Sequence, residues 1–317
     1  MTGQILDEKY LLGRLLGEGT TGSVYEAQHL GTLQPVALKL LREDHPAARS
    51  EGARRLRREA RAVGSVDDPH LVKVLDSGED EATGCPYLVM ERLAGEDLQR
   101  LLDRVGPLPP PVALSLAGQA LLGLVSAHAA GIVHRDLKPA NLFLARQPGG
   151  EVAVKILDFG IAKVLPSSPS PRSATPLTRT GGLLGSPLYM SPEQVENSKH
   201  VDARTDVWSL ASVLYRALCG AAPHEHLPTI GKVLIAICDA PAPALRERAP
   251  WVSPEVARVV HGALAIDPAR RTPSAAAMLA AIEPLAPGGF ALRHEMLTGA
   301  AEEDGGSARR SAAAAPR

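Results

Sequence analysis

Cysteine is scarce in this sequence: Cys85, Cys219 and Cys238 lie far apart, and none falls in a C-x-x-C or Cys/His metal-ligand spacing. That pattern argues against a disulfide framework or a zinc site and points to a reducing, cytoplasmic setting. A charge surplus is also missing, because 34 Lys and Arg oppose 35 Asp and Glu for a formal net charge of -1. General binding to nucleic acid or to an anionic membrane surface, which favours a basic excess, is therefore not expected. The N-terminal MTGQILDEKYLLG carries acids and no apolar h-region, so no signal peptide is read. Internal repeats are absent as well. Only Val112 to Val133 is long and uncharged enough to imitate a membrane span. Its Ser115, Gln119, Ser126 and His128, its glycines and the lack of a basic flank before it favour a buried core helix, and no membrane span is expected. What is present is a 317-residue chain with 45% hydrophobic residues, enough for the core of a folded protein with one large domain or two ordinary ones.

From Tyr10 to about Val89 the chain shows short β-like runs, YLLGRLL, SVYEAQHL, PVALKLL, LVKVLDSG and CPYLVM, separated by Gly, Pro and Asp turns. One helical segment interrupts them, with Leu56, Ala60 and Val63 in helical register and Ser50 as its N-cap. After Arg92 the pattern becomes helical, in EDLQRLLDRV, the long apolar segment, DVWSLASVLYRALCG, TIGKVLIAICDA, PEVARVVHGALA and PSAAAMLAAIE. A small, mostly-β lobe followed by a larger, mostly-α lobe is implied, joined near Glu91-Arg92-Leu93. Residues 286–317, rich in Ala, Gly and Arg without a sustained period, read as a disordered tail.

Gly17, Gly19, Gly22 and Val24 stand in a G-x-G-x-x-G-x-V spacing. Glycines so placed let backbone amides approach phosphate oxygens with no Cβ in the way. A dinucleotide-binding fingerprint must open a helix, whereas a strand pattern follows here, so a hairpin lid over phosphates is favoured. Lys39 then sits in an otherwise apolar strand. Glu59 shares a face with Leu56 and Val63, and if that face packs on the sheet its inward charge needs a partner, for which Lys39 is the candidate. In GIVHRDLKPANLFLA five polar side chains, His134, Arg135, Asp136, Lys138 and Asn141, crowd into eight positions between apolar runs. Asp136 could accept a proton from a hydroxyl. Asn141, with Asp158 at the end of the apolar strand VAVKILD, would make an oxygen-only pair suited to Mg²⁺.

The ordered set GEGTTGSV, VALK, Glu59, HRDLKPAN, DFG and SPE, spread over about residues 10–285, resembles the eukaryotic-type (Hanks-type) serine/threonine protein kinases, in their bacterial branch. The resemblance implies a two-lobed α+β fold: an N-terminal extension at 1–9, an N-lobe at 10–90 with one regulatory helix, a hinge at 91–94 and a C-lobe at 95–285. It also implies an activation segment at 158–193. Lys39 would hold the α- and β-phosphates of ATP and pair with Glu59; Asp136 would take the proton of the attacking hydroxyl; Lys138 would neutralise the phosphoryl group in transfer. Asn141 and Asp158 would hold Mg²⁺, with Mn²⁺ as an alternative. Gly17, Gly19, Gly22, Val24 and Ala37 would line the nucleotide, Met90 would back the adenine pocket, and the Glu91 and Leu93 backbone would meet the base, with Asp97 at the ribose. Asp206 would buttress the catalytic loop, and Arg271 would pair with Glu193. Lys138 in HRDLKPAN fits the serine/threonine branch, so the implied partners are protein Ser/Thr acceptors. Small lobes of bacterial relatives often pair back to back, so a homodimer is allowed.

Two positions depart from the family pattern: Ser186 stands where Thr is usual, and Ser191 where Ala is usual. Ser186 keeps a hydroxyl for contact with Asp136 and Lys138. A pseudokinase scaffold is the first competing function, but it would lack the strand lysine or a key aspartate, and all are present. A small-molecule phosphotransferase is the second, but it would lack the peptide-docking segment before SPE. The stretch PSSPSPRSATPLTRTGGLLGSP, from Pro166 to Pro187, reads by composition as a linker, yet it lies between DFG and SPE. Thr178 and Thr180 in it are the expected regulatory phosphosites, paired through phosphate to Arg135.

Overall fold

The computed structural model describes residues 2–19, 22–41, 64–80, 83–159, 186–196 and 201–298. Its first part is an antiparallel sheet of order β1-β2-β3-β4-β6-β5, formed by β1 (Ile5–Leu6), β2 (Tyr10–Gly19), β3 (Gly22–His29), β4 (Pro35–Leu41), β5 (Val74–Glu79) and β6 (Pro86–Glu91). Side chains alternate across a strand, and this sheet uses both faces of β4. Val36, Leu38 and Leu40 enter one cluster with Leu6, Tyr10, Leu12, Tyr87 and Val89. Ala37 and Lys39 point to the other face, and Lys39 is 8% exposed. The five strands expected from periodicity are all present, with one change of boundary. Residues Leu71 to Lys73 do not belong to β5; Leu71 bridges Ile156 in parallel, and Val72 N–H donates to Ile156 O at 3.1 Å. That stretch ties the small lobe to the large one.

The residues set apart as an N-terminal extension also join the sheet. Ile5–Leu6 pairs with β2, Leu6 is buried, and Asp7 accepts the Tyr87 hydroxyl at 2.6 Å.

A second sheet, β7 (Gly95–Asp97), β8 (Leu142–Arg146) and β9 (Val152–Ile156), opens the larger part. Around it lie α1 (Leu98–Val105), α2 (Pro110–Ala129), α3 (Pro192–Glu196), α4 (Arg204–Cys219), α5 (Ile230–Asp239), α6 (Leu245–Arg248), α7 (Pro254–Ala263) and α8 (Ala275–Ile282). Helix α2 is apolar all round because it is surrounded: it packs on α4, α8 and β9, and 72% of its most apolar window is buried within the protein. The buried-core-helix reading therefore holds. Helix α4 is the other central helix, with Trp208, Leu210, Leu214 and Tyr215 almost inaccessible.

The expectation of a disordered tail from residue 286 is corrected as far as Thr298. Phe290 lies on Gly118 of α2, where an added Cβ would fall 2.3 Å from its ring. Val152 N–H donates to Leu292 O at 2.9 Å, Glu151 bridges Arg293, and Leu292 and Leu297 are buried in the core. Gln119 completes this strap, donating to Phe290 O at 2.7 Å and accepting from Val154 N–H at 2.7 Å. Lack of periodicity misled the sequence reading, because two or three buried apolar anchors suffice to order an irregular segment.

Candidate active site

The site is built on the end of β9 and the loop between α2 and β8. Asp206 on α4 is wholly buried and accepts three hydrogen bonds: from the backbone N–H groups of His134 (2.8 Å) and Arg135 (2.9 Å), and from His128 Nε2 (2.8 Å). Arg135 has φ +63°, a left-handed conformation costly for a side-chain-bearing residue. The two amide bonds to one fixed carboxylate hold the chain in that shape.

His134, fully buried, links this loop to the end of β9. Its Nε2 donates to Leu157 O at 2.7 Å, which leaves Nδ1 to accept the Asp136 N–H at 3.2 Å. Its ring also packs on Phe159 with centroids 4.9 Å apart. Leu157 N–H donates to Asn141 O at 2.8 Å, and the Asn141 side-chain amide donates to Asp136 O at 2.8 Å. Asp136, Asn141 and Asp158 are thus placed by one continuous hydrogen-bond network. Lys138 Nζ lies 3.1 Å from Asp136 Oδ2.

Across the cleft, Lys39 Nζ pairs with Asp158 Oδ1 at 2.7 Å. Asp158 has φ +49°, again left-handed. Glu59, the expected partner of Lys39, lies outside the described residues, so the ion pair that is seen is with Asp158. The hairpin glycines differ in what they do. Gly22 faces Leu40 O, and a Cβ there would come within 2.0 Å of it, so internal packing alone requires glycine. Gly17 has nothing within 4 Å of an added Cβ, and Gly19 only Gly22 O at 3.9 Å. Among the described residues no neighbour explains those two glycines; close approach of something to their backbone would.

Val24 stands opposite Lys39 and Ala37 opposite Met90 in the sheet register. Met90 is buried with Val72 and Leu88, against Leu93. Glu91 turns its carboxylate away to Lys155 Nζ (2.6 Å) and Lys73 N–H (2.9 Å), so only its backbone could serve a ligand in the cleft. Among the described residues, neither the N–H nor the C=O of Leu93 has a backbone partner. Asp97 caps α1, accepting Arg100 N–H at 3.0 Å, and its other oxygen pairs with Arg100 Nε at 3.2 Å. The ribose assignment therefore competes with an intramolecular contact.

The segment Ser191-Pro192-Glu193-Gln194 is held by three side-chain contacts among the described residues. Arg271, with a fully buried side chain, makes a bidentate pair with Glu193 (2.7 and 2.9 Å) and donates to the carbonyls of Ala265, Arg204 and Ile266, using all five N–H groups. Gln194 Nε2 donates to Arg135 O at 2.7 Å, a link for which the sequence carries no signal. The Ser191 hydroxyl meets that of Thr205 at 2.6 Å in a fully buried position, so this departure from the family pattern carries a hydrogen bond of its own. Ser186 lies in a 3-10 turn, Ser186–Tyr189, and its side chain is outside the description. Thr178 and Thr180 also lie outside the described residues.

Residues 10–281 match the family model described as protein kinase domain. The chain is 36% identical over 283 residues to the serine/threonine-protein kinase pkn3 of Myxococcus xanthus, covering 89% of this chain and 50% of that one. It is 37% identical over 282 residues to the serine/threonine-protein kinase PknB of Mycolicibacterium smegmatis, covering 88% and 43%. The crystal structure of the Mycobacterium tuberculosis PknI kinase domain superposes with a TM-score of 0.66 at 28% identity, over 90% of this chain and 98% of that one. The chain belongs to the protein kinase family, in its bacterial Hanks-type serine/threonine branch, and has the two-lobed kinase fold. It spans half or less of the length of the two relatives just named.

Proposed function

We propose that this chain is a serine/threonine protein kinase that transfers the γ-phosphoryl group of ATP to Ser or Thr hydroxyls of proteins. The assembly of Asp136, Lys138, Asn141 and Asp158 on one loop network, with Lys39 ion-paired to Asp158, carries this reading. Asp136 orients the acceptor hydroxyl and takes its proton on the carboxylate. Lys138, beside it, sets positive charge where the transferring group's oxygens lie. The Asn141 amide oxygen and the Asp158 carboxylate form an oxygen-only donor set that fits a hard cation such as Mg²⁺ or Mn²⁺, which when bound would neutralise phosphate charge. Lys39 would hold the α- and β-phosphates, under the open backbone at Gly17 and Gly19. Val24, Ala37 and Met90 would enclose the base, and the Leu93 backbone groups, which have no backbone partner among the described residues, and the Glu91 backbone would meet its edge. Asp97 would reach the ribose only by releasing Arg100, which is exposed and held by a weak surface pair.

The same reading makes Thr178 and Thr180 the sites of activating autophosphorylation. Its support is Arg135, whose Nε is buried with no partner among the described residues, a seat suited to phosphate. Replacing both threonines with alanine should lower activity markedly; full activity in a completely dephosphorylated chain would sink this part. Sparse, unpaired cysteine supports a cytoplasmic location.

The test is transfer of label from γ-labelled ATP, with magnesium, to a generic protein and to aminoglycosides, using the chain and its Asp136→Asn variant. Labelled Ser or Thr in protein, lost in the variant, is expected. Label only on the aminoglycoside would indicate a small-molecule phosphotransferase, and no transfer at all a pseudokinase.

A further inference from the structure

Arg216 closes α4 with a guanidinium that is nearly buried, its side chain 14% exposed. Its NH1 donates to two neutral acceptors, Gln99 Oε1 at 2.9 Å and the Tyr189 hydroxyl at 2.8 Å. Its NH2 donates to Asp103 Oδ1 at 3.0 Å, and its Nε is buried with no partner among the described residues. The Asp103 side chain is 58% exposed on α1 and also accepts Gln99 Nε2 at 2.7 Å. Glu225 adds a favourable field, but its carboxylate is engaged by the Ala222 N–H. The cation is therefore fixed from below by uncharged groups, while the carboxylate that bonds it among the described residues is a surface side chain that can rotate away.

The three elements that meet at Arg216 adjoin the catalytic loop. Helix α1 packs on the Pro139–Asn141 turn that follows Lys138. The Ser186–Tyr189 turn runs into the segment that Gln194 ties to Arg135 O, next to Asp136. A polypeptide whose hydroxyl lies at Asp136 must pass over surface that adjoins the catalytic loop, advancing about 3.3 Å per residue when extended, and this junction is part of that surface.

We propose that Arg216 is a specificity-determining residue that reads an acidic side chain, Asp or Glu, near the acceptor in the protein substrate, with Asp103 as its resident occupant in the free enzyme. The proposal rests on the kinase reading above and names the substrate class for that site. A preorganised, poorly hydrated guanidinium rewards a carboxylate and penalises a lysine or arginine brought beside it. A purely structural Arg216, knitting α1 to Tyr189, would make no such distinction.

The experiment measures kcat/KM for serine peptides in which each flanking position in turn is Asp, Ala or Lys. Wild type should favour Asp over Lys about tenfold at one position or more. Arg216→Gln should bring that ratio to within about twofold, and Asp103→Ala, which removes the occupant from an exposed site and leaves the guanidinium in place, should raise the Asp-to-Ala ratio. If Arg216→Gln does not fold, Asp103→Ala decides alone. No acidic preference in wild type, a preference kept in Arg216→Gln, or an Asp-to-Ala ratio unchanged or lowered in Asp103→Ala would overturn the proposal. Peptides phosphorylated without discrimination would defeat this inference only, whereas a chain that phosphorylates none would defeat the kinase reading itself.

Discussion

Replacing Asp206 by asparagine keeps the shape of the side chain and removes one charge, so it isolates what the buried carboxylate does. Asp206 receives three donors and none of its surface meets water. An amide can offer one oxygen but turns an NH₂ toward another donor, so one of the His134 and Arg135 backbone bonds or the His128 bond is lost. A hydrogen bond to a charged group contributes about 1.5–3 kcal/mol, and a buried donor left unpaired costs about 1–3 kcal/mol more. The left-handed Arg135 adds strain of about 1–2 kcal/mol that the loop then has less reason to hold. The loss is about 3–5 kcal/mol, concentrated on the loop that carries Asp136 and Lys138. For a domain of this size each kcal/mol moves the melting temperature about 2–4 °C, so a fall of roughly 6–20 °C is expected. Displacement of Asp136 by about 1 Å would reduce kcat about a hundredfold. Scanning calorimetry and steady-state peptide phosphorylation on Asp206→Asn read both effects. Activity within threefold of wild type together with a melting point within about 2 °C would refute the claim that this carboxylate positions the catalytic loop.

Three further outcomes follow from the packing and the charges. Gly118→Ala should destabilise by about 1–3 kcal/mol, because its Cβ meets the Phe290 ring; in a Phe290→Ala background the same change should cost almost nothing, which a double-mutant cycle by chemical denaturation would show. Arg271→Ala should cost about 3–5 kcal/mol, since it strands the mostly buried Glu193 and empties a five-donor seat, and a melt unchanged from wild type would contradict the buried pairing. His224 and His261 both have pKa values pushed below the ordinary 6.5 by burial, with the charges of His226 and Arg248 adding to the effect on His224. The unfolded chain binds protons at these histidines before the folded one does, so stability is full above about pH 6.5 and falls as pH drops below it. The slope is about 1.4 kcal/mol per pH unit for each histidine, and thermal melts of His224→Leu across that range should show a shallower decline.

Much of the small lobe was legible because strands announce themselves by alternation, and β4 also showed why a lysine sits among apolar residues: 36, 38 and 40 fill the core while 37 and 39 face the cleft. The apolar helix α2 was legible as core rather than membrane from its polar interruptions. Contacts between distant segments were less accessible. Residues 71–73 have a strand-like pattern but satisfy their backbone partly on Ile156 of the other lobe, and residues 286–298 have no period yet are fixed by Phe290, Leu292 and Leu297. The catalytic loop and the Asp158 turn stood out by polar crowding and by resemblance, and so did the Asp206 and Arg271 contacts by resemblance alone. Gln194, His134 as the link to Leu157, and Arg216 had no signature, because a single side chain reaching a remote carbonyl or hydroxyl leaves no spacing in the sequence. The Lys39–Asp158 pair shows the other limit: a lysine has a choice of carboxylates, and spacing cannot say which one it takes.

The most direct test of the kinase assignment is mass spectrometry of the purified chain and of Asp136→Asn after incubation with magnesium and ATP. The account predicts phosphate on serine or threonine of the wild-type chain, with Thr178 or Thr180 among the sites, and none on the variant. An unmodified wild-type chain that also leaves added protein substrates unlabelled, or equal modification of both chains, would contradict it.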